Sequence, residues 1–169
     1  MPTQVLIFTR ELLPYSQTFI REQALALRRW QPTLAGLTRV PGVDPAPLRC
    51  VVLGDGGNAR ATRPGTLLRE WLWLADPRHL RRLRGGGYAL IHAHFGTSAV
   101  WLWPLVRRLQ LPLLVTLHGY DVTIKPEWWQ SGAGGLINRR APARRRRLAR
   151  FGARFLAVSK GIRAQAINY

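Results

Sequence analysis

Three of the chain's four histidines stand where short apolar runs end. His92 and His94 are two residues apart in "YALIHAH" (88–94), and His118 closes "PLLVTLH" (112–118). Alternate side chains of an extended strand share a face, so His92 and His94 point the same way, and His118 joins them if its strand is their neighbour. Converging imidazoles offer two chemistries: a zinc site, as in a metal hydrolase, or hydrogen bonding at a strand end. No carboxylate or second cysteine completes a zinc set at a recognised spacing, Cys50 being alone, and the chain has no Asp-x-Asp pair. The expectation is therefore local hydrogen bonding and no metal.

The elements that must position these side chains are legible as alternation. Apolar or β-branched runs recur at 5–9, 33–38, 50–53, 88–93, 112–117 and 154–159. Between them, Phe19, Ile20, Ala24, Leu27 and Trp30 repeat at helical intervals behind a possible Ser16 N-cap. Leu67 to Leu74 and Ser98 to Leu109 suggest two further helices. Gly and Pro crowd the loops at 40–47, 54–65 and 84–88. Strands apolar on both faces and alternating with helices predict an α/β chain: a Rossmann-like three-layer domain with a mostly parallel sheet. A length of 169 residues and 47% hydrophobic content suit one such domain over 1–169.

In sheets of this kind ligands sit at the carboxyl ends of the strands. The segments found there are "TRELLPYSQTF", "HAHFGTSA", "HGYD" and "SKG", a gathering of polar and small residues that reads as a cleft. Ser16, Gln17 and Thr18 open a helix directly after the first strand, where free N–H groups either hold a phosphate or are simply capped. Ser159 and Lys160 begin the segment after the last strand and join the candidate substrate contacts. Neither a nucleophile elbow, nor a Walker loop, nor the dinucleotide fingerprint is present, and "RGGGY" precedes a strand as a plain turn.

The 26 basic and 8 acidic residues give a formal charge of +18, a surface that attracts polyanions. Eight arginines and no acid fall in "NRRAPARRRRLARFGAR" (138–154), with Leu148, Phe151 and Phe155 beside them and Trp128 and Trp129 upstream. Such a run is either a solvated helix face or a contact for an anionic membrane surface through Trp128, Trp129, Arg144, Arg145, Arg146 and Arg147. Nucleic acid would be met by non-specific electrostatics only, since no recognition motif is visible. "MPTQVLIFTRE" reads as a strand and not as a signal peptide, and a lone cysteine fits a reducing cytoplasm.

Four blocks, "YSQTFIREQ" (15–23), "LIHAHFGTSA" (90–99), "PLLVTLHGYDVT" (112–123) and "RFLAVSKGIRAQ" (154–165), in this order resemble the N-terminal domain of family 4 glycosyltransferases, closest to the colanic-acid, capsular and exopolysaccharide branch. The resemblance implies one half of a GT-B architecture, in which this domain receives the acceptor and a second domain binds the nucleotide-sugar. It implies metal-independent transfer with retained anomeric configuration to a glycan or lipid-linked acceptor, at the inner face of the cytoplasmic membrane. It puts His118 in the cleft as the catalytic candidate, Gly119 at a close backbone approach, Ser16 to Thr18 near the donor phosphates, and His94 and Gly96 on the acceptor side. Asp121 would orient His118 or a sugar hydroxyl. No cofactor is implied beyond the nucleotide-sugar donor. The family's donor-side Glu-x7-Glu element is not found, so the expectation is a truncated product, a fragment or half of a split enzyme, inactive alone. The competing expectation is a non-catalytic basic module that binds anionic lipid or nucleic acid.

Overall fold

The computed structural model describes residues 2–54, 64–133 and 135–168. The chain begins with β1 (Thr3–Phe8) and β2 (Glu11–Leu12), a 3-10 turn at Tyr15–Gln17 and α1 (Thr18–Leu25). Next come β3 (Trp30–Gly36), β4 (Thr38–Arg39) and β5 (Arg49–Val52), then α2 (Pro64–Leu72) and α3 (Pro77–Arg84). β6 (Tyr88–His94), α4 (Gly96–Leu109) and β7 (Leu113–Leu117) follow. α5 (Tyr120–Thr123), α6 (Pro126–Gln130) and α7 (Ala141–Arg150) lead to β8 (Arg154–Ala157) and α8 (Lys160–Asn168).

Six strands form one parallel sheet in the order β5-β3-β1-β6-β7-β8, and β2 pairs with β4 above its carboxyl edge. One face carries Leu6, Phe8, Ile91, Ala93, Val115 and Leu117 against α3, α4 and α7. The other carries Val5, Ile7 and Leu34 against Ile20 and Ala24 of α1. This is the layered, parallel Rossmann-like α/β arrangement expected from the alternation of apolar runs and helical spacings. The strands have hydrophobic neighbours on both sides, which is why their sequences read as continuous apolar runs.

The largest departure from the sequence reading is at α1, which ends at Leu25 instead of running to Trp30. A helix continued through Trp30 would meet Pro32, which lacks the N–H owed to the Arg28 carbonyl and clashes with it. Trp30 instead opens β3, and Pro32 fits there because β5 pairs with β3 only from Thr33 onward. Ser16 is not the N-cap. It lies inside the 3-10 turn, Gln17 occupies the cap position of α1, and among the described residues no side chain caps that helix. The loop expected at 54–65 falls mostly outside the described residues.

Pro104 inside α4 leaves the carbonyl of Val100 without its helical donor. Trp73 Nε1 donates to that oxygen at 2.6 Å. Trp101, on the same helix, stacks on Phe8 at 5.5 Å and donates to Glu70 Oε1 at 2.9 Å. These aromatic donors hold α4 against both the sheet and the α2 region, and α4 in turn fixes the loop that leaves β6.

Candidate functional site

Strand order reverses beside β1: β3 and β5 extend the sheet on one side, β6, β7 and β8 on the other. Ligands collect at such a switch point because the two flanking loops part there. A hollow of about 620 Å³ opens at this place, lined by Arg10 after β1, Thr38 after β3, Gln17, Phe95 and Ser98 after β6, and Tyr120 and Trp129 after β7.

Beside it lie the histidines. His92 and His94 alternate with Ile91 and Ala93, so they face α1, and the β6–β7 register puts His92 beside Leu114 and His94 beside Thr116. His92 Nε2 lies 2.8 Å from Thr116 Oγ1. His94 Nδ1 lies 2.9 Å from His118 Nε2, with the two rings stacked at 5.2 Å. Phe19 and Phe95 flank His118 at 4.7 and 4.8 Å. Burial lowers the His94 imidazole to about 2, helped by its two histidine neighbours, and lowers His92 to about 4, helped by His118. Burial also lowers the half-buried His118. All three rings are neutral at pH 7. Among the described residues no three His, Cys, Asp or Glu side chains form a group able to hold a metal ion.

Two backbone features shape the rim. Phe95 adopts φ 72°, ψ 136° between β6 and α4, a conformation that non-glycine residues rarely hold. It turns the chain sharply from strand to helix while its ring covers His118. Gly119 has φ 117°, which a side chain would strain, and a Cβ there would meet Ile162 Cδ1 at 3.4 Å. The chain therefore turns immediately after His118 into the short helix α5.

A family model for Glycosyltransferase Family 4 matches residues 16–169. The chain belongs to glycosyltransferase family 4. Among solved structures it is similar to sucrose-phosphate synthase from Thermosynechococcus elongatus, with a TM-score of 0.51 and 16% identity over 92% of this chain and 47% of that one. This family 4 chain thus spans about half the length of that structure, and at such identity the likeness is one of fold: the GT-B type of domain. A second similar structure is Phytolacca americana UGT2 complexed with UDP-2fluoro-glucose and pterostilbene, at a TM-score of 0.43 and 11% identity over 70% of this chain and 31% of that one. Comparison with curated proteins finds no match.

Within this family 4 domain the structure gathers some of the sequence-derived candidates and separates others. His94 and His118 are in direct contact, and the buried Gly96 starts α4 two residues beyond His94. Gln17 borders the switch-point hollow, whereas Ser16 and Thr18 are exposed beside it. Ser159 and Lys160 line a different groove of about 700 Å³ with Arg145, Arg146 and Arg163. Leu156 and Ala157 border both that groove and the one over His118. Ser159 Oγ accepts from the Ile162 N–H at 3.2 Å and caps α8. The side chain of Asp121 lies outside the described residues.

The membrane-contact set needs correction. Trp129 is 2% exposed, edge-on to Tyr120 at 5.7 Å, and belongs to the wall of the switch-point hollow. Arg144 and Arg145 are buried as well. Arg144 donates to the carbonyls of Trp71 at 2.7 Å and Glu70 at 3.3 Å, and its guanidinium lies over Trp73 at 5.2 Å. The cause is geometric: α7 packs on α4, and Ala141, Arg144, Arg145 and Leu148 form one buried stripe at helical spacing, so two of the four consecutive arginines point inward. Trp128, Arg146 and Arg147 remain on the surface. Arg10, Phe19, Phe95 and Tyr120 were not named as site residues from the sequence, and their signal was positional, since each lies within one of the strand-end segments.

Proposed function

We infer that this chain is the acceptor side of a sugar-transfer enzyme. A hydroxyl of a lipid-linked or cell-surface glycan attacks the anomeric carbon of a nucleotide-sugar, the new C–O bond forms on the face from which the diphosphate leaves, and configuration is retained. The hydroxyl proton departs with the diphosphate. The observation that carries this reading is the contact of His94 with His118 beside the switch-point hollow, flanked by the glycine turn at Gly119. An acceptor lodged in that hollow is held close to His118, and the held geometry supplies much of the rate.

In this reading Ser16 to Thr18 face the donor phosphates, Gly96 and His94 the acceptor, and Asp121 orients His118 or a sugar hydroxyl. Ser159 and Lys160 meet the substrate from the far groove. The donor-binding wall belongs to a second lobe, and transfer requires it. Metal independence and the polysaccharide branch follow the family resemblance. The charge of +18 and the exposed Arg146, Arg147 and Trp128 support docking at the inner face of the cytoplasmic membrane. Among the described residues no helix is long and apolar enough to cross a membrane.

The test is nucleoside diphosphate release from nucleotide-sugars with glycan acceptors, measured on the chain joined to a family donor-binding domain. His118→Ala should cut release by on the order of 10²-fold. Unchanged turnover in that variant would remove His118 from the chemistry.

A further inference from the structure

We propose that His94 is a positioning residue that locks His118 in the tautomer protonated on Nδ1, so that His118 meets any partner oxygen as a hydrogen-bond donor and not as a base. The argument is proton counting. At 2.9 Å, His94 Nδ1 and His118 Nε2 must share one hydrogen, because two bare lone pairs repel and two N–H groups collide. Burial keeps both rings neutral, so each holds a single proton.

Two arrangements satisfy that count. If His118 Nε2 carries the shared proton, His94 accepts at Nδ1 and must hold its own proton on Nε2. That atom is buried and, among the described residues, has no hydrogen-bond partner, so an N–H would be stranded there. If His94 Nδ1 carries the shared proton, Nε2 is left as a bare lone pair. Buried N–H groups without an acceptor are rarer in proteins than acceptors left without a donor. The second arrangement prevails, which makes His118 Nε2 the acceptor and places the His118 proton on Nδ1. His92 does not compete, since the Thr116 hydroxyl rotates to suit either ring tautomer.

The chemical consequence rests on the sugar-transfer reading. With Nε2 already engaged and Nδ1 protonated, His118 has no lone pair to take the acceptor hydroxyl's proton. Whatever Nδ1 meets, it meets by donation.

Long-range ¹H–¹⁵N correlation spectra of the ¹⁵N-labelled 169-residue chain at neutral pH read the protonated nitrogen of each of the four histidines directly. The expected result is a protonated-type shift on Nδ1 and a bare-type shift on Nε2 for both His94 and His118. His94→Phe keeps a ring but no donor, and should move the His118 proton toward Nε2. His94→Asn restores a short N–H donor and should return it to Nδ1. A wild-type spectrum with the His118 proton on Nε2 overturns the proposal, as does a His118 pattern unchanged in His94→Phe. A His94→Asn protein that behaves like His94→Phe also counts against it. If His94→Phe does not fold, the wild-type spectrum decides alone. No turnover is measured, so loss of the sugar-transfer reading would leave the proton assignment standing.

Discussion

The ring of Phe19, in the first turn of α1, lies 4.7 Å from that of His118 at the end of β7. The contact joins the helix that follows the first strand to the histidine proposed above for the chemistry. Phe19 is itself 40% exposed, so it lids His118 without sealing it. Its removal should let water reach the imidazole. In Phe19→Ala the His118 pKa is expected to rise toward the ordinary histidine value, because burial is what lowers it. Titration of the His118 Cε1 proton by NMR checks this, and an unmoved curve would show that Phe19 does not shield the ring.

Stability should fall with acidification, and the sign follows from the buried imidazoles. His92 and His94 have folded pKa values of about 4 and about 2, below the ordinary value, so the unfolded chain binds protons that the folded chain refuses. Stability is then level above about pH 7 and declines from there toward the folded values, by roughly 4 kcal/mol between pH 7 and pH 5 for two such groups. Urea midpoints at pH 7, 6 and 5 measure the slope. His94→Phe should flatten it, having one protonatable group fewer.

Arg144 is expected to matter for folding and not for surface charge. It bridges α7 to the last turn of α2 through two carbonyls and packs over Trp73. A cation belongs at a helix carboxyl end, and its loss strands those carbonyls. Arg144→Ala should destabilise the chain by about 3 kcal/mol, while Arg146→Ala, on the outer face, should stay within about 0.5 kcal/mol of wild type. Thermal or urea unfolding of the two variants separates the roles.

Membrane docking makes a complementary prediction. Co-sedimentation with vesicles containing anionic lipid should be strong at low salt and weaken as the Debye length shortens. Arg146→Glu with Arg147→Glu should reduce it several-fold, whereas vesicles of neutral lipid should capture little of the chain. Equal binding to neutral vesicles would point to Trp128 and the exposed Phe151 as the contact in place of charge.

Much of the fold was legible in order. The runs that became β1, β3, β5, β6, β7 and β8 stand out because a strand covered on both faces must be apolar throughout, and the residue after each run marks the rim. The alternation of His92 and His94 assigned them to one face, and the block order carried the family. The helix α3 went unread, although Asp76 and Pro77 are start signals for it: the carboxylate accepts the Arg78 N–H at 2.8 Å. Periodicity misled at Trp30, whose helical spacing is a coincidence that Pro32 breaks.

What the linear order could not supply was which neighbours meet. His94 touches His118 only because β6 and β7 pair in one register, and a slip by one residue would have turned every side chain of β7 to the opposite face. The arginine run had a visible composition, but which arginines faced inward depended on where α7 came to rest against α4. Trp129 became part of a cleft wall by the same kind of packing. Local sequence thus determined the elements, the rim residues and the family, because backbone preference and burial act residue by residue. Tertiary structure decided the proton partner of His118 and the inward turn of Arg144, because both depend on contacts between segments far apart in the chain.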